Sequence, residues 1–369
     1  NIAGAGTGYT ASSNITIMGG SVRAAASKII HNNGRFNFDV STTMATNGNA
    51  NSTSGFYDVE IEGSGVTVTP NEWPLTIYRN LEIKSGATFD THGPSGGGTD
   101  FALTVTGATS GAGTLILNNS TYTGGGAGTH IEMSGGTITI GTSGVITNID
   151  QLGSGDAGST ITCTGSPTLG CRRFRCRPAG WTPATSTLKI EGGGSDINYS
   201  AYTLYNLEID SSGNTPTMRN DITCTNNLTI TAGELDTDDN DLTVTGTTEI
   251  TGTLTCNAST CSFGAALTSA WGIQINTGGN FAGGSGTHTI GSIRIVTIGT
   301  RTFTLSSGAT TITSKNTSNG YTINLSTGAT FNHGSGTVTM TYAGDTLIAL
   351  DGATLAFNNL IYNASGRTL

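Results

Sequence analysis

The chain has 369 residues, of which 35% are hydrophobic and only 11% are charged, with 56 glycines and a formal net charge of −9. Such a low charge, combined with abundant threonine, isoleucine and valine, excludes a disordered chain and favours β-structure. Nucleic-acid binding needs a basic surface, and a membrane span needs about 18 consecutive apolar residues; neither is present.

Positions 1–60 are less regular than the repeats that follow them. The stretch from Arg23 to Ile30 is the one segment that suits a helical turn. Because repeat proteins protect the exposed end of their first unit with a cap, we predict an N-terminal cap and first irregular coils over residues 1–60.

Short alternating segments follow over residues 61–162. Leu-Thr-Val-Thr-Gly at 103–107 and Thr-Ile-Thr-Ile at 137–140 are typical of them. Alternating apolar and polar residues predict strands with one buried face, and the glycines after them predict tight turns. No helical pattern separates these segments, which excludes an α/β sheet. We interpret this region as the first half of a β-solenoid.

Residues 163–187 interrupt the pattern with a concentration of cysteine, arginine and tryptophan. We predict an inserted loop that a Cys171–Cys176 disulfide closes. It would offer its basic and aromatic groups to an anionic glycan or a protein partner, through Arg172, Arg173, Arg175, Arg177 and Trp181. The alternative is a structural excursion that its cysteines hold closed. A zinc site here lacks a nearby histidine.

Residues 188–369 are predicted to form the second half of the solenoid. They contain the densest acidic segment, in which the oxygens of Asp236, Asp238 and Asn240 alternate. This spacing makes them weak candidates for a structural Ca²⁺ site, although the closing glutamate of a calcium loop is missing. The alternative is an acidic turn exposed to solvent.

Cys256 and Cys261 are predicted to form a second disulfide. The internal match that aligns positions 103–107 with 242–246 also equates these cysteines with Leu117 and Tyr122, an apolar pair across a turn. Six cysteines with two close pairs favour an oxidising compartment. Cys163 and Cys224 stay free or pair elsewhere.

Internal similarity decides the predicted fold. Three matches align positions 305–310 with 325–330, positions 271–290 with 321–340, and positions 103–107 with 242–246. Their offsets predict an all-β, right-handed parallel β-helix with irregular coils of roughly 20 residues. Because Thr-x-Thr segments recur at unequal spacings, we expect most of them to face solvent without forming a flat face that binds ice or a crystal.

No set of residues in the sequence has the pattern of a catalytic site. The five histidines are scattered, and His288 aligns with Val338 in the match of 271–290 with 321–340, which indicates a tolerated variation. The acidic residues show no arrangement typical of glycoside hydrolases or lyases. The expectation is therefore a protein that is not an enzyme.

The repeats Asn-Leu-x-Ile, at 80–83, 206–209 and 227–230, and Leu-Thr-Val-Thr-Gly carry a family resemblance. They resemble the β-helix repeats of phage tail fibres and tail spikes and of secreted microbial adhesins and filament proteins. The resemblance implies a structural rod of an extracellular, cell-surface or virion fibre, with copies of itself or other fibre subunits as partners. The alternative is an adhesin that binds surface glycans through Asn, Asp and Thr with Trp181 or Tyr205. A polysaccharide-degrading β-helix ranks below both.

Overall fold

The structure is a computed structural model. It describes residues 9–10, 15–17, 21–24, 29–30, 33–46, 56–71, 73–93, 99–153, 159–176, 178–192, 196–197, 202–264, 266–267, 269–296, 299, 301–342, 344–345 and 347–363. The chain divides into two compact units, Asn1–Ser186 and Thr187–Leu369. Together the units contain about 13 turns of a parallel β-solenoid.

The first unit contains 21 described strands and one short 3₁₀ turn at Pro178–Gly180. The strands are β1 (Tyr9–Thr10), β2 (Ile15–Ile17), β3 (Ser21–Ala24), β4 (Ile29–Ile30), β5 (Arg35–Phe38), β6 (Thr42–Thr46), β7 (Asp58–Ile61), β8 (Thr67–Pro70), β9 (Leu75–Ile77), β10 (Leu81–Ile83), β11 (Thr88–Asp90), β12 (Leu103–Val105), β13 (Thr109–Ser110), β14 (Thr114–Asn118), β15 (Thr121–Glu132), β16 (Thr137–Ile140), β17 (Val145–Leu152), β18 (Thr160–Cys163), β19 (Thr168–Cys171), β20 (Arg173–Phe174) and β21 (Trp181–Thr182).

The second unit contains the remaining described strands. They are β22 (Thr187–Glu191), β23 (Asp196–Ile197), β24 (Tyr202–Leu204), β25 (Asn206–Asp210), β26 (Thr217–Met218), β27 (Ile222–Cys224), β28 (Leu228–Ala232), β29 (Glu234–Asp236), β30 (Leu242–Val244), β31 (Thr248–Ile250), β32 (Thr253–Thr255), β33 (Cys261–Phe263), β34 (Ile273–Ile275), β35 (Asn280–Ala282), β36 (His288–Ile290), β37 (Ile293–Ile295), β38 (Arg301–Thr304), β39 (Ala309–Ile312), β40 (Ile323–Leu325), β41 (Ala329–Asn332), β42 (Thr337–Met340), β43 (Ile348–Leu350) and β44 (Asn359–Tyr362).

The strands of the second unit stack into three parallel ladders. In the second unit one ladder runs from β22 through β25, β28, β31, β34, β37 and β40 to β43. Another joins β23 to β41 through every third strand, and the third runs from β24 through every third strand to β42 and then to β44. Each turn therefore contributes one strand to each ladder, as the predicted β-solenoid requires.

The core consists of inward-facing side chains that repeat in register from turn to turn. Phe281, Phe303 and Phe331 are direct ladder partners, and their rings stack at centroid distances of 4.6 and 5.7 Å. Burial alternates along the strands, so the residues between these positions face outward. A fully buried side chain of this size stabilises the fold by about 2 kcal/mol relative to its exposed state.

Strands β2, β3, β5 and β6 belong to the ladders, as the first irregular coils predicted over residues 1–60 require, whereas β1 and β4 pair with each other in a separate sheet; the N-terminal cap stays a prediction. Strand β2 pairs with β5, β5 pairs with β7, and β3 pairs with β6. The predicted helical turn is wrong where the structure describes it, because residues 21–24 and 29–30 are strands; residues 25–28 lie outside the described part. Parallel pairing explains the correction, since it satisfies the backbone groups of these residues.

The predicted insertion at 163–187 is also a set of regular coils. Strand β19 pairs with β17, β20 pairs with the end of β17, and β21 pairs with β18. The inserted-loop prediction is therefore wrong for the described residues of this segment. The described cysteine, arginine and tryptophan residues of this segment fit into the stacked coils. Their concentration therefore does not mark an interruption of the solenoid.

Turn length varies while the register of the strands does not. Hydrogen bonds between neighbouring turns join residues that are 18 to 31 apart in the chain, as the bonds Leu242 N to Thr260 O and Ser326 N to Ile295 O show. Ile293 lies one turn after Ile273, and Ile323 lies two turns after it, which accounts for the match of 271–290 with 321–340. The match of 305–310 with 325–330 is not a stacking relation, because Leu325 pairs with Ile295.

Candidate functional site

A buried cluster of Cys256, Cys261 and His288 lies inside the second unit. One sulfur or ring nitrogen from each side chain lies within 4.8 Å of the others. Cys261 and His288 face each other as ladder partners in β33 and β36. Cys256 follows β32 directly, and its backbone N–H donates to Ala282 O at 2.9 Å. We call these three residues the thiol–imidazole cluster.

The surroundings of the cluster are apolar. His288 is fully buried and packs edge-on against Phe281 and Phe263, with centroid distances of 5.9 and 6.4 Å. Neither ring nitrogen of His288 has a hydrogen-bond partner. A buried polar atom without a partner is unfavourable, and such atoms concentrate at sites with a further role.

The two thiols of the cluster differ in acidity. A hydrogen bond with the Cys256 thiol lowers the pKa of Cys261, burial opposes this, and the His288 ring adds to the lowering. Burial raises the pKa of Cys256 well above its ordinary value. The arrangement thus favours a thiolate at Cys261, which is the form that binds metals and reacts.

The first unit shows what usually occupies these positions. Tyr122, the counterpart of Cys261, is fully buried, and its hydroxyl lies 2.7 Å from Thr109 Oγ1. The counterpart of Thr109 is Thr248, whose buried hydroxyl has no partner in the second unit. Replacing tyrosine with the smaller cysteine has therefore left an unpaired hydroxyl.

The predicted proximity of Cys256 and Cys261 is confirmed, and the addition of His288 was missed. Both cysteines are thiols in the structure, so the predicted disulfide between them stays a prediction. The internal sequence match aligned His288 with Val338, which lies two turns later in the solenoid. In the structure His288 contacts Cys261, which lies one long turn earlier. Aligning β33 and β36 by their alternating residues would have indicated the pairing.

The other cysteines are buried too. Cys171 and Cys176 are fully buried, and their predicted disulfide stays a prediction. Cys163 and Cys224 are buried thiols, and burial raises the pKa of each to about 12. Such thiols are chemically inert at neutral pH, which is typical of cysteines that fill a core.

The acidic turn holds itself together with its own hydrogen bonds. Asp236 Oδ1 accepts from Asp238 N at 2.8 Å, and Asp238 Oδ2 accepts from Arg219 at 2.9 Å. The Asn240 amide donates to Met218 O at 3.0 Å. These contacts favour the acidic-turn interpretation, and calcium binding at Asp236, Asp238 and Asn240 stays a prediction.

The arginine-rich segment does not project as a binding loop. Arg173 pairs with Asp150 at 2.9 Å, and Arg172 and Arg175 are half-buried. Trp181 is 8% exposed and packs edge-on against Phe174 at 5.1 Å, so the aromatic group predicted to contact a ligand belongs to the core. Arg177 lies outside the described residues.

One outward face of the second unit is lined by threonine. Seven consecutive strands of the third ladder place a hydroxyl at the same outward position, in Thr203, Thr223, Thr243, Ser262, Thr289, Thr311 and Thr339. We call this set the threonine row. The expectation that these residues face outward is confirmed. Their register did not follow from the unequal spacings in the sequence, because differences in turn length are absorbed at the corners.

The last described turn exposes apolar side chains. Leu350 continues the buried row of Ile295 and Leu325 but is 47% exposed, and Leu360 continues the row of Val338 but is 37% exposed. We call the set of large exposed side chains on this turn the apolar end surface: Leu347, Leu350, Leu360 and Ile361.

Comparisons with known proteins give no further indication of identity. No helix among the described residues has the length and apolar character to span a membrane. No family model, curated protein or solved structure matches the chain.

Proposed function

We propose that the chain is a non-enzymatic structural β-solenoid of an extracellular or virion fibre, filament or appendage. Its partners are other fibre subunits, including copies of the same chain. The observation that carries this proposal is the parallel β-solenoid itself, and the exposed apolar side chains of the last described turn support it.

The apolar end surface is suited to one kind of partner. Strands β43 and β44 pair on one side only among the described strands, so their other edges offer backbone groups in a regular array. Leu350 and Leu360 stand in register with buried residues, which means that one more solenoid turn would bury them. A turn from another fibre subunit satisfies both requirements by strand addition.

Sedimentation velocity and negative-stain electron microscopy of the full chain test this proposal. We expect association that grows between about 1 and 100 μM, in the range of weak protein interfaces, and particles joined at their ends. The double variant Leu350→Lys/Leu360→Lys should stay monomeric, since it places charges in the contact. Thr311→Lys, on a lateral face, is the matched control and should associate normally. A wild-type chain that stays monomeric throughout would contradict the proposal.

The threonine row favours a second candidate function, binding to an ordered lattice such as ice. Parallel strands repeat at about 4.8 Å, so the row offers equally spaced hydroxyl groups over seven strands, with a methyl group at every position except Ser262. Thr243→Lys and Thr289→Lys should abolish thermal hysteresis and the inhibition of ice recrystallisation, while Glu249→Lys on another ladder should not. Wild-type protein without either activity would rule this candidate out.

The glycan-binding adhesin has less support. It relied on Trp181 and Tyr205 as exposed stacking platforms, but Trp181 is buried and Tyr205 is half-buried.

A further inference from the structure

The thiol–imidazole cluster contains three ligands of the kind that zinc binds in proteins. Cysteine sulfur and histidine nitrogen are the ligands of structural and catalytic zinc sites. Within the described residues this is the one group of three such side chains whose donor atoms lie within 4.8 Å of one another. It brings together the end of β32, in one ladder, and neighbouring positions of β33 and β36, in another.

The distances suit one metal ion. Two donors bound to a tetrahedral zinc at about 2.0–2.3 Å are separated by about 3.5–3.8 Å. The donors of the cluster therefore need to approach one another by no more than about 1 Å. Rotation of the two cysteine side chains supplies movements of this size without a change in the ladders.

The unpaired atoms around the cluster point to a missing ligand. Both ring nitrogens of the fully buried His288 lack a partner, and so does the buried hydroxyl of Thr310, its ladder neighbour. Metal binding would engage one ring nitrogen. A metal-bound histidine usually donates its second N–H to a nearby acceptor, and Thr310 provides an unpaired one a single ladder step away.

The charges favour a divalent ion such as zinc over a monovalent ion among the metals that bind sulfur. Two thiolates, a neutral imidazole and Zn²⁺ form a group without net charge, which an apolar interior tolerates far better than an unbalanced charge. A monovalent copper ion with the same three ligands would leave a negative charge among Phe263, Phe281 and their neighbours. With three protein ligands, zinc takes its fourth ligand from a small molecule such as water.

We propose that Cys256, Cys261 and His288 bind a zinc ion inside the second unit and that the ion fastens the end of β32 to two neighbouring turns of the ladder that contains β33 and β36. The site is independent of the proposed assembly through the apolar end surface. Because its donors are buried, the ion would enter as the unit folds, and metal binding would add to the stability of the folded state.

The test is metal analysis of the full chain produced in zinc-supplemented medium and dialysed against EDTA. We expect about one zinc per chain, because the buried donors keep the bound ion away from EDTA, and roughly a tenfold lower content in Cys261→Ser and His288→Val. Val338 occupies the same row as His288, so His288→Val should fold even if Cys261→Ser does not. Cys224→Val removes a buried cysteine outside the cluster and should keep the zinc.

Cobalt provides a second readout that does not depend on stability. Chain produced with Co²⁺ should show sulfur-to-cobalt charge-transfer absorption and the visible bands of a four-coordinate ion, and Cys256→Ser should weaken the charge-transfer band. A wild-type chain that holds neither metal would overturn the proposal. So would peptide mapping that finds Cys256 and Cys261 joined by a disulfide.

Discussion

Two equivalent threonines differ in their surroundings, which gives a test at the scale of single residues. Thr109 shares a buried hydrogen bond with Tyr122, whereas the hydroxyl of Thr248 has no partner. We expect Thr109→Val to lower the free energy of unfolding by about 1–3 kcal/mol, because it leaves the tyrosine hydroxyl unpaired. Thr248→Val should be neutral or stabilising by about 1 kcal/mol.

Urea unfolding of the two variants under the same conditions measures this difference. Equal destabilisation by both substitutions would show that the two hydroxyls have equivalent environments, contrary to the structure.

The buried thiol of Cys224 predicts a loss of stability in alkali. Burial raises its pKa from 9.0 to about 12, so the folded state keeps the proton that the unfolded state releases. Its contribution is complete below about pH 9 and is lost as the pH rises towards 12, with a slope of at most about 1.4 kcal/mol per pH unit. Cys224→Val, which copies its ladder partner Val244, should flatten this decline.

The relevant measurement is the free energy of unfolding of both proteins at several pH values from 8 to about 11.5, within the range over which a thiol of this kind titrates. Other groups that titrate in alkali are common to both chains, so the difference in slope belongs to Cys224. Parallel curves would contradict the prediction.

At this scale the sequence indicated part of the candidate site and not the rest. The proximity of Cys256 and Cys261 followed from the apolar pair Leu117 and Tyr122, because repeats keep equivalent side chains in equivalent places. His288 was missed because its neighbour in space depends on the length of the intervening turn. An alignment at a fixed offset equated it with Val338 and so concealed its contact with Cys261.

At the scale of strands and turns, two glycines distinguish the energetic effect of backbone conformation from the effect of close contacts. Gly284 and Gly213 have similar positive φ angles, +67° and +73°. A Cβ at Gly284 would lie 1.9 Å from Asn257 O, whereas a Cβ at Gly213 would meet nothing within 4 Å. Gly213→Ala should destabilise by about 1–2 kcal/mol through its left-handed backbone alone. Gly284→Ala should cost at least twice as much, since the neighbouring turn must move.

Thermal or urea unfolding of the two alanine variants decides this comparison. Similar losses would mean that the close approach of the two turns contributes nothing beyond the φ angle.

The segment at 163–187 shows why composition misled at the scale of elements. Arginine, cysteine and tryptophan are unusual in this chain, so their concentration suggested an insertion. Yet Phe174 and Trp181 face inward and Arg173 faces outward to Asp150, in the same alternation as elsewhere. Successive residues of a strand face opposite sides, so the face of each residue follows from its odd or even position along the strand. The alternation continues through 163–187, but the unusual residue types concealed it.

The turns on both sides of residues 222–241 stack on their neighbours through the ladders, which predicts tolerance of one kind of deletion at the scale of the whole molecule. Ile222 pairs with Leu242 one turn later, so removing residues 222–241 takes out one strand from each ladder and lets the flanking turns meet in register. Repeat proteins of this type keep their fold with one repeat fewer. We expect an unchanged β-type circular dichroism spectrum and cooperative unfolding.

Removing residues 222–231 is the matched control. It deletes half a turn, places strands of different ladders against each other and should disrupt the second unit. Equal behaviour of the two deletions would contradict the stacking order.

The fold at this scale was the most predictable property of the chain. The alternation in residues 103–107 and 137–140, the glycines after the strands and the internal matches all follow from one requirement, a buried row repeated at every turn. The extent of the solenoid was less predictable. Strands within residues 1–60 form ladders although the sequence there repeats less clearly than in the rest of the chain.

The strands keep their register while the corners between them vary in length, and this difference has a practical consequence. Neighbouring turns stay in register although the length of chain between them varies, as the hydrogen-bonded residues 19 and 29 apart show. A corner is therefore a place where foreign peptide could be inserted without disturbing the ladders. Peptides carried on successive corners would stand about 4.8 Å apart, a spacing set by the backbone alone. The chain could thus serve as a scaffold that displays grafted segments at measured intervals.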